Sequence, residues 1–194
     1  MSDHHNEPFW RKYIFSVDHK IIGIQYGITS LLFLLFGFTL MLVMRWNIAN
    51  PGQAVPFIGG LLSEEGMLTP DRYNSFGAMH GTIMVFLGVV PLAVGAFGNY
   101  VVPIQVGAPD MAFPKLNMAS YWSYLPGGII MIISFFLPGG AANSGWTAYP
   151  PLSDIATQGQ TWWLVAMIFL ITSSLLGSVN IIVTVVQLRV KGLT

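Results

Sequence analysis

The run KIIGIQYGITSLLFLLFGFTLMLVMR, residues 20–45, contains no charged residue between Lys20 and Arg45. At about 1.5 Å per residue, a helix of this length can span a hydrocarbon core about 30 Å thick. The run is too long for the apolar region of a cleaved signal peptide, and no small-residue cleavage site follows it. We therefore predict a first transmembrane helix over residues 20–45.

Three further runs without charge follow along the chain, bounded by Arg72, Asp110, Lys115, Asp154 and Arg189. Thr69, Pro70 and Asp71 form the pattern of an N-cap, a proline in the first helical position and an acid in the first turn, so the second helix should begin there. Pro103 marks the predicted end of the second helix. Pro138-Gly139-Gly140 marks the predicted end of the third helix. The predicted helices after the first cover residues 71–103, 118–138 and 161–189.

The composition supports this membrane assignment. The 194 residues are 54% apolar and 8% charged, with a mean hydropathy of +0.64, no cysteine and no net charge. Soluble domains carry about 25% charged residues. We predict an all-α, polytopic membrane helical bundle with four transmembrane helices over residues 1–194. The charge pattern offers no basic surface for nucleic acid, and the lack of cysteine excludes thiolate metal sites and thiol catalysis within this chain.

The distribution of basic residues predicts the orientation. With four spans, both ends of the chain and the connection between the second and third helices lie on one side. The other side holds only Arg45 and Arg72. The positive-inside rule therefore places both ends in the cytoplasm, and we expect the tail over residues 1–8, with His4 and His5, to be mobile. The basic residues on the cytoplasmic side are Arg11, Lys12, Lys20, Lys115, Arg189 and Lys191.

His80 is the only histidine inside a predicted span. A charged imidazole is costly at that depth, so a neutral ring with one free nitrogen is expected, and such a ring can bind haem iron. Gly77, Gly81 and Gly88 would leave the neighbouring helix surface bare enough for a flat macrocycle. The alternative is a small-residue helix interface across which His80 forms a hydrogen bond. The helix, the histidine and the glycines do not separate these two interpretations.

Asp110 lies between Pro109 and Pro114, in a short broken segment at the predicted cytoplasmic surface. It is either a solvated loop residue or the mouth of a proton path. Ser173, Gly177 and Asn180 fall on one stripe of the fourth helix. Side chains in this stripe could line such a path or bond a neighbouring helix. The polar residues within or beside the spans are Asn99, Asn117, Ser173, Ser174, Ser178 and Asn180.

Several longer motifs together resemble subunit I of the haem–copper oxygen reductases, the cytochrome c oxidase family. The resemblance runs from Arg11 to Thr194, and its most specific part is the unbroken GAPDMAFP. The motifs are FSVDHKIIG at residues 15–23, YN at 73–74, AMHG at 78–81, GNYVVP at 98–103, GAPDMAFP at 107–114, Asn117 and GWTAYPPL at 145–152.

The resemblance implies roles for individual positions. His80 matches an axial ligand of the low-spin haem, Arg45 the arginine near a substituent of that haem, and Trp146 a tryptophan near its propionates. Taken alone, Arg45 would be a snorkelling anchor and Trp146 part of an aromatic belt. Asp110 matches the entrance acid of the D proton channel. Residues similar to that channel's lining are Tyr26, Asn99, Asn117, Ser173, Ser174 and Asn180.

The resemblance to A-type members also implies a terminal oxidase that reduces dioxygen to water and pumps protons. Its low-spin haem, expected to be haem A, would pass electrons to a haem–copper centre. No histidine follows His80, so we expect this chain to be the first third of subunit I, lacking the oxygen-reducing site. Asn47 stands where some members carry a glutamate of a calcium or sodium site.

The resemblance further implies partners: the remainder of subunit I, subunits II and III, and cytochrome c as electron donor, in a multi-pass protein of the bacterial plasma membrane. Two alternatives remain at this point. One is a quinol oxidase subunit I, which looks much alike in this region. The other is a non-catalytic four-helix membrane scaffold, in which buried polar residues only hold the helices together.

Overall fold

The computed structural model describes residues 8–193, which form helices and loops without a named strand. One isolated parallel bridge joins Ala141 and Gly159. Within this described range, four helices are long and apolar enough to cross a membrane, which confirms the all-helical membrane fold. The expectation for His4 and His5 concerns residues outside the described range. The four helices are α1 His19–Ala49, α2 Pro70–Val106, α3 Pro114–Phe136 and α4 Gln158–Gln187.

Local capping explains where two of the helices begin. The Asp18 side chain accepts hydrogen bonds from the backbone N–H groups of Lys20 and Ile21, at 2.8 and 3.2 Å, so α1 begins at His19. At α2, Thr69 Oγ1 accepts from Arg72 N, and Pro70 occupies the first helical position. The predicted start of α2 is therefore confirmed to within one residue.

The end of α2 differs from the prediction, because Pro103 lies inside the helix. A proline lacks an N–H, so the carbonyl of Asn99, four residues earlier, loses its regular helical donor. His19 Nδ1, from the first turn of α1, lies 2.8 Å from that carbonyl oxygen and donates to it. This substitute donor lets α2 continue to Val106, where Gly107 ends it in the left-handed conformation, with φ at 74°.

The middle of α2 is irregular. It is π-helical over Ile83–Val89 and again over Pro91–Gly98. π-Helical turns hold more residues than α-helical turns, since they close i to i+5 instead of i to i+4. Side chains beyond Thr82 therefore rotate away from the positions that a regular α-helix predicts.

Small residues allow the helices to approach closely. A Cβ added to Gly127 of α3 would lie only 3.0 Å from Phe169 Cβ and 3.1 Å from the Ala166 carbonyl oxygen of α4. Such close approach is the usual means of packing in a bilayer, where apolar surface alone gives little attraction between helices. The outer faces carry large exposed apolar side chains, among them Leu32, Phe97 and Ile168.

The helix ends meet in two groups. The start of α1, the end of α2, the start of α3 and the end of α4 lie together at one end of the bundle, called the Asp110 end below. Two hydrogen bonds document this grouping: His19 to Asn99, and Val190 N to the Val106 carbonyl at 3.0 Å. The loops that contain the short helices Gly59–Leu62 and Leu152–Ile155 lie at the opposite end.

Candidate functional site

His80 is held in one tautomer by the neighbouring helix. Its Nδ1 lies 2.8 Å from the Gly37 carbonyl oxygen of α1. A carbonyl oxygen can only accept, so Nδ1 carries the hydrogen, and a neutral ring then has its lone pair on Nε2. When an imidazole binds a metal through one nitrogen, a hydrogen bond from its other nitrogen orients the ring and raises the basicity of the metal-binding nitrogen. The half-buried ring is therefore prepared to bind a metal through Nε2.

The surface beside His80 is open on one side. A Cβ added to Gly81 would meet nothing within 4 Å, whereas one added to Gly77 would lie 3.3 Å from Met44 Cε of α1. Gly88 does not share this open surface, because it packs against Leu34. The expectation that Gly88 contributes to a bare face around His80 is therefore wrong, and the π-helical turn between the two residues explains why. A ring with a free Nε2, next to a residue that borders open space, would suit a haem as its iron ligand.

Arg45 lies on α1, toward the opposite end of the bundle from Asp110, and is exposed. It lines a groove of about 560 Å³ together with residues that include Met44 and Tyr73. Met44 also contacts the position of Gly77, one turn before His80. Arg45 thus shares a groove with Met44, whose side chain packs against α2 one turn before His80.

Trp146 is exposed and belongs to the loop between α3 and α4. Its ring centroid lies 6.2 Å from that of Phe86, six residues beyond His80 on α2. The loop itself is attached to α2, because Ser75 Oγ donates to the Ala141 carbonyl at 3.0 Å. The structure thus puts Trp146 beside the helix that carries His80, in contact with Phe86.

Asp110 lies in the connection over residues 107–113, at the end of the bundle named after it. Burial raises the pKa of the Asp110 carboxyl above its ordinary value, since removing a carboxylate from water disfavours its charge. The Met111 N–H, which donates to Asp110 Oδ1 at 2.6 Å, and the nearby His19 oppose this rise in pKa. Asp110 is half-buried, so it can still exchange protons with water.

Hydroxyl groups from three helices meet in the interior. The Tyr26 hydroxyl of α1 donates to Ser120 Oγ of α3 at 3.1 Å, and it lies 2.9 Å from Ser173 Oγ of α4. Ser120 in turn donates to the Asn117 carbonyl at 2.7 Å. The family resemblance predicted Tyr26, Asn117 and Ser173 as lining residues, but not Ser120. Its spacing of three residues from Asn117, on one face of a helix, was the available signal.

Two buried asparagines near the Asp110 end carry polar atoms that no group among residues 8–193 satisfies. Within that range neither side-chain polar atom of Asn117 has a hydrogen-bond partner, and Oδ1 of Asn99 also lacks one. Asn99 Nδ2 donates to the Gly95 carbonyl at 2.6 Å. Buried polar atoms are normally paired, with water if not with protein, so these atoms are suited to hold water.

A cavity of about 440 Å³ adjoins these groups. Its lining is mostly apolar, so water, which needs two to four polar partners, can be held only beside the polar side chains on its wall. Hydroxyls, amides and water in sequence can pass a proton along hydrogen bonds. The polar side chains that line the cavity belong to Tyr26, Asn99, Ser120, Tyr124, Ser173, Ser174 and Ser178.

Asn180 is the predicted lining residue that the structure places differently. Both polar atoms of its side chain bind the backbone of Phe113, and it does not line the cavity. The structure therefore brings together Tyr26, Asn99, Ser173 and Ser174 around one cavity, with Asn117 one hydrogen bond away through Ser120. Among residues 8–193 no group of three or more histidine, cysteine or acidic side chains is placed to hold a metal ion.

Comparisons with known proteins give a consistent result. The profile of the family described as Cytochrome C and Quinol oxidase polypeptide I matches residues 21–194. The chain is 46% identical over 186 residues to cytochrome c oxidase subunit 1 of Thermostichus vulcanus, covering 95% of this chain and 31% of that protein. It is 40% identical over 195 residues to cytochrome c oxidase subunit 1 of a Synechocystis strain, covering 100% of this chain and 33% of that protein.

A third relative is the alternative cytochrome c oxidase subunit 1 of Bradyrhizobium diazoefficiens. It is 38% identical over 196 residues, which covers 98% of this chain and 31% of that protein. The chain thus spans about a third of the length of the curated relatives that it matches.

Proposed function

The chain belongs to the cytochrome c and quinol oxidase polypeptide I family, and on that basis we propose that it forms part of subunit I of a proton-pumping terminal oxidase. In this proposal it binds a low-spin haem, expected to be haem A, and takes up protons for the reduction of dioxygen to water. That reaction consumes four electrons and four protons per dioxygen. A haem–copper centre in the remainder of the subunit would be the site of reduction.

His80 is the proposed axial ligand, and its hydrogen bond to the Gly37 carbonyl at 2.8 Å is the observation that carries the assignment. That bond places the ring hydrogen on Nδ1, so the neutral ring offers Nε2, and the next residue, Gly81, borders open space. A haem bound there would supply one-electron transfer. We assign Arg45 and Trp146 to the surroundings of this haem. The groove that Arg45 shares with Met44 supports the first assignment, because Met44 packs against α2 one turn before His80.

Asp110 is the proposed proton-uptake residue. Its raised pKa keeps a proton on the carboxyl to a higher pH than usual, and its half-buried position leaves it open to water. Asn99, Asn117, Ser120, Tyr26, Ser173 and Ser174 would carry protons inward with water in the cavity. Because the positive-inside rule puts the Asp110 end in the cytoplasm, protons would be taken from that side of the bacterial plasma membrane.

The proposed partners are the remainder of subunit I, subunits II and III, and cytochrome c as electron donor. The relatives are named cytochrome c oxidase subunits, which favours cytochrome c over quinol. The family description includes both donors. Turnover of the complete, purified oxidase with each donor in turn distinguishes them.

The haem assignment is tested by replacing His80 with Ala in the complete oxidase. We expect the low-spin haem signal to disappear from the reduced-minus-oxidised spectrum. His19→Ala is the matched control, because His19 is also buried on a transmembrane helix but donates to the Asn99 carbonyl. An unchanged low-spin spectrum in His80→Ala would refute the ligand assignment and would favour a scaffold role for this region.

Proton uptake is tested separately with Asp110→Asn, which keeps an acceptor for the Met111 N–H. We expect slower turnover and loss of proton pumping in oxidase reconstituted into vesicles. Asp154→Asn, on the exposed short helix at the opposite end, is the control for loss of one carboxylate. Normal pumping in Asp110→Asn would remove the proton-uptake role while leaving the haem assignment intact.

A further inference from the structure

The connection that carries Asp110 is attached to α4 through its backbone. Phe113 N–H donates to Asn180 Oδ1 at 2.8 Å, and Asn180 Nδ2 donates back to the Phe113 carbonyl at 3.1 Å. One turn further along α4, Thr184 Oγ1 accepts from Ala112 N–H at 2.9 Å. Two side chains of α4 thus hold two consecutive backbone residues of the connection. We call Asn180 and Thr184 the α4 clamp.

The clamp satisfies backbone groups that the connection cannot satisfy itself. Phe113 directly precedes α3, and its apolar side chain forms no cap for the first helical turn. Unpaired backbone groups at a buried helix start are costly. Asn180 and Thr184 are each 0% exposed, so solvent does not reach their side chains. These two side chains of α4 therefore supply the hydrogen-bond partners of the Ala112 and Phe113 backbone.

The hydroxyl of Thr184 and the amide of Asn180 are already engaged in hydrogen bonds. Thr184 has one hydroxyl hydrogen, which it donates to the Asn180 carbonyl at 2.7 Å. The Asn180 amide uses its oxygen and one of its N–H groups on Phe113. Passing a proton through either residue would require these bonds to break. Their geometry is that of a fixed support.

We infer that Asn180 and Thr184 are positioning residues for Asp110, which hold the connection over residues 107–113 so that its carboxyl stays at the start of the polar path. They act through the backbone of Ala112 and Phe113, which lie two and three residues after Asp110. The inference rests on the proposed proton-uptake role of Asp110. It assigns to Asn180 a support function in place of the proton-conducting one, and adds Thr184.

The first test is Thr184→Val in the complete oxidase, which removes the hydroxyl while keeping the shape. We expect proton uptake in vesicles to slow about fivefold, which corresponds to about 1 kcal/mol, the worth of one hydrogen bond. Thr184→Ser should restore the rate, because it keeps the hydroxyl. Thr172→Val is the matched control, since the exposed Thr172 on the same helix donates only to its own Ile168 carbonyl.

The second test combines Thr184→Val with Asp110→Asn. If the clamp acts through Asp110, Thr184→Val slows the native oxidase and leaves the rate of Asp110→Asn unchanged. If Thr184→Val slows both backgrounds equally, the inference is overturned but the role of Asp110 stands. The same holds if Thr184→Val does not slow the native oxidase although Asp110→Asn alone is slow. A normal rate in Asp110→Asn overturns the proposed role of the acid, and with it the inference. If the valine variant fails to assemble, Thr184→Ala replaces it in the same comparison of single and double variants.

Discussion

The Tyr124 hydroxyl of α3 donates to the Leu87 carbonyl of α2 at 2.6 Å. Leu87 lies four residues before Pro91, where the two π-helical stretches of α2 meet, and a proline has no N–H to offer the preceding turn. Within a bilayer, a side chain of a neighbouring helix can supply the missing donor. Tyr124 is almost fully buried and performs this function, as His19 does for the carbonyl four residues before Pro103.

Replacing Tyr124 with Phe should therefore lower the stability of the oxidase by about 1 kcal/mol, the typical worth of a hydrogen bond between membrane helices. The cost should shrink in a Pro91→Ala background, because alanine returns an N–H to the helix. Thermal unfolding of the purified protein measures both effects. Tyr149→Phe, which removes a hydroxyl from an exposed ring, is the control. Equal costs in the two backgrounds would show that Tyr124 does not compensate for the proline.

Replacing Gly81 with Leu should prevent haem binding while leaving the bundle folded. A Cβ added to Gly81 meets nothing within 4 Å, so we expect the new side chain to be accommodated and to cover the surface beside His80. We expect loss of most of the low-spin haem absorbance, with the protein still extracted from the membrane in soluble, monodisperse form. Gly60→Leu is the control, because Gly60 also has open space but lies in a short helix of the loop. Full haem content in Gly81→Leu would place the haem elsewhere.

Much of the fold could be predicted from the sequence because the governing rules are local. A backbone in lipid must satisfy its own hydrogen bonds, so each long uncharged run indicates a helix. The start of α2 was predictable because Thr69 and Pro70 act within one turn. Its end was not, because α2 passes Pro103 only with a hydrogen bond from His19, 80 residues away along the chain.

In the candidate site, too, local features could be predicted from the sequence, whereas features that depend on contacts between helices could not. His80 could be identified as a lone histidine in a span, but its tautomer depends on the Gly37 carbonyl of another helix. Gly88 was assigned to the wrong surface because the π-helical turn between Ile83 and Val89 changes the helical periodicity. The support function inferred for Asn180 depends on the path of a connection that no helical pattern describes.

The raised pKa of Asp110 predicts a pH dependence of stability. Between the ordinary carboxyl pKa and the raised value, the folded protein holds a proton that the unfolded chain releases. The free energy of unfolding contributed by this group is therefore highest below the ordinary pKa and falls as the pH rises through the raised one. His19, which faces Asp110, limits the rise in pKa, and Asp18 adds to it.

Asp110→Asn should remove this slope, since the amide stays neutral and can still accept from the Met111 N–H. Relative to the native oxidase, the variant's melting temperature should rise with increasing pH and then level off. Melting curves recorded across the acidic to neutral range test this, with Asp154→Asn as the control for loss of one carboxylate. A difference that shrinks as the pH rises would mean that the folded site favours the charged carboxylate.

Ser120 offers a test of the polar path itself. Its hydroxyl accepts from Tyr26 and donates to the Asn117 carbonyl, so it joins α1 to the start of α3. Ser120→Ala should slow proton uptake about fivefold, because losing one hydrogen bond worth about 1 kcal/mol raises the barrier by that amount. Ser123→Ala is the control on the same helix, since Ser123 donates only to its own Ala119 carbonyl. Equal rates in the two variants, measured as proton uptake in vesicles at matched haem content, would mean that protons do not pass along the Tyr26–Ser120 contact.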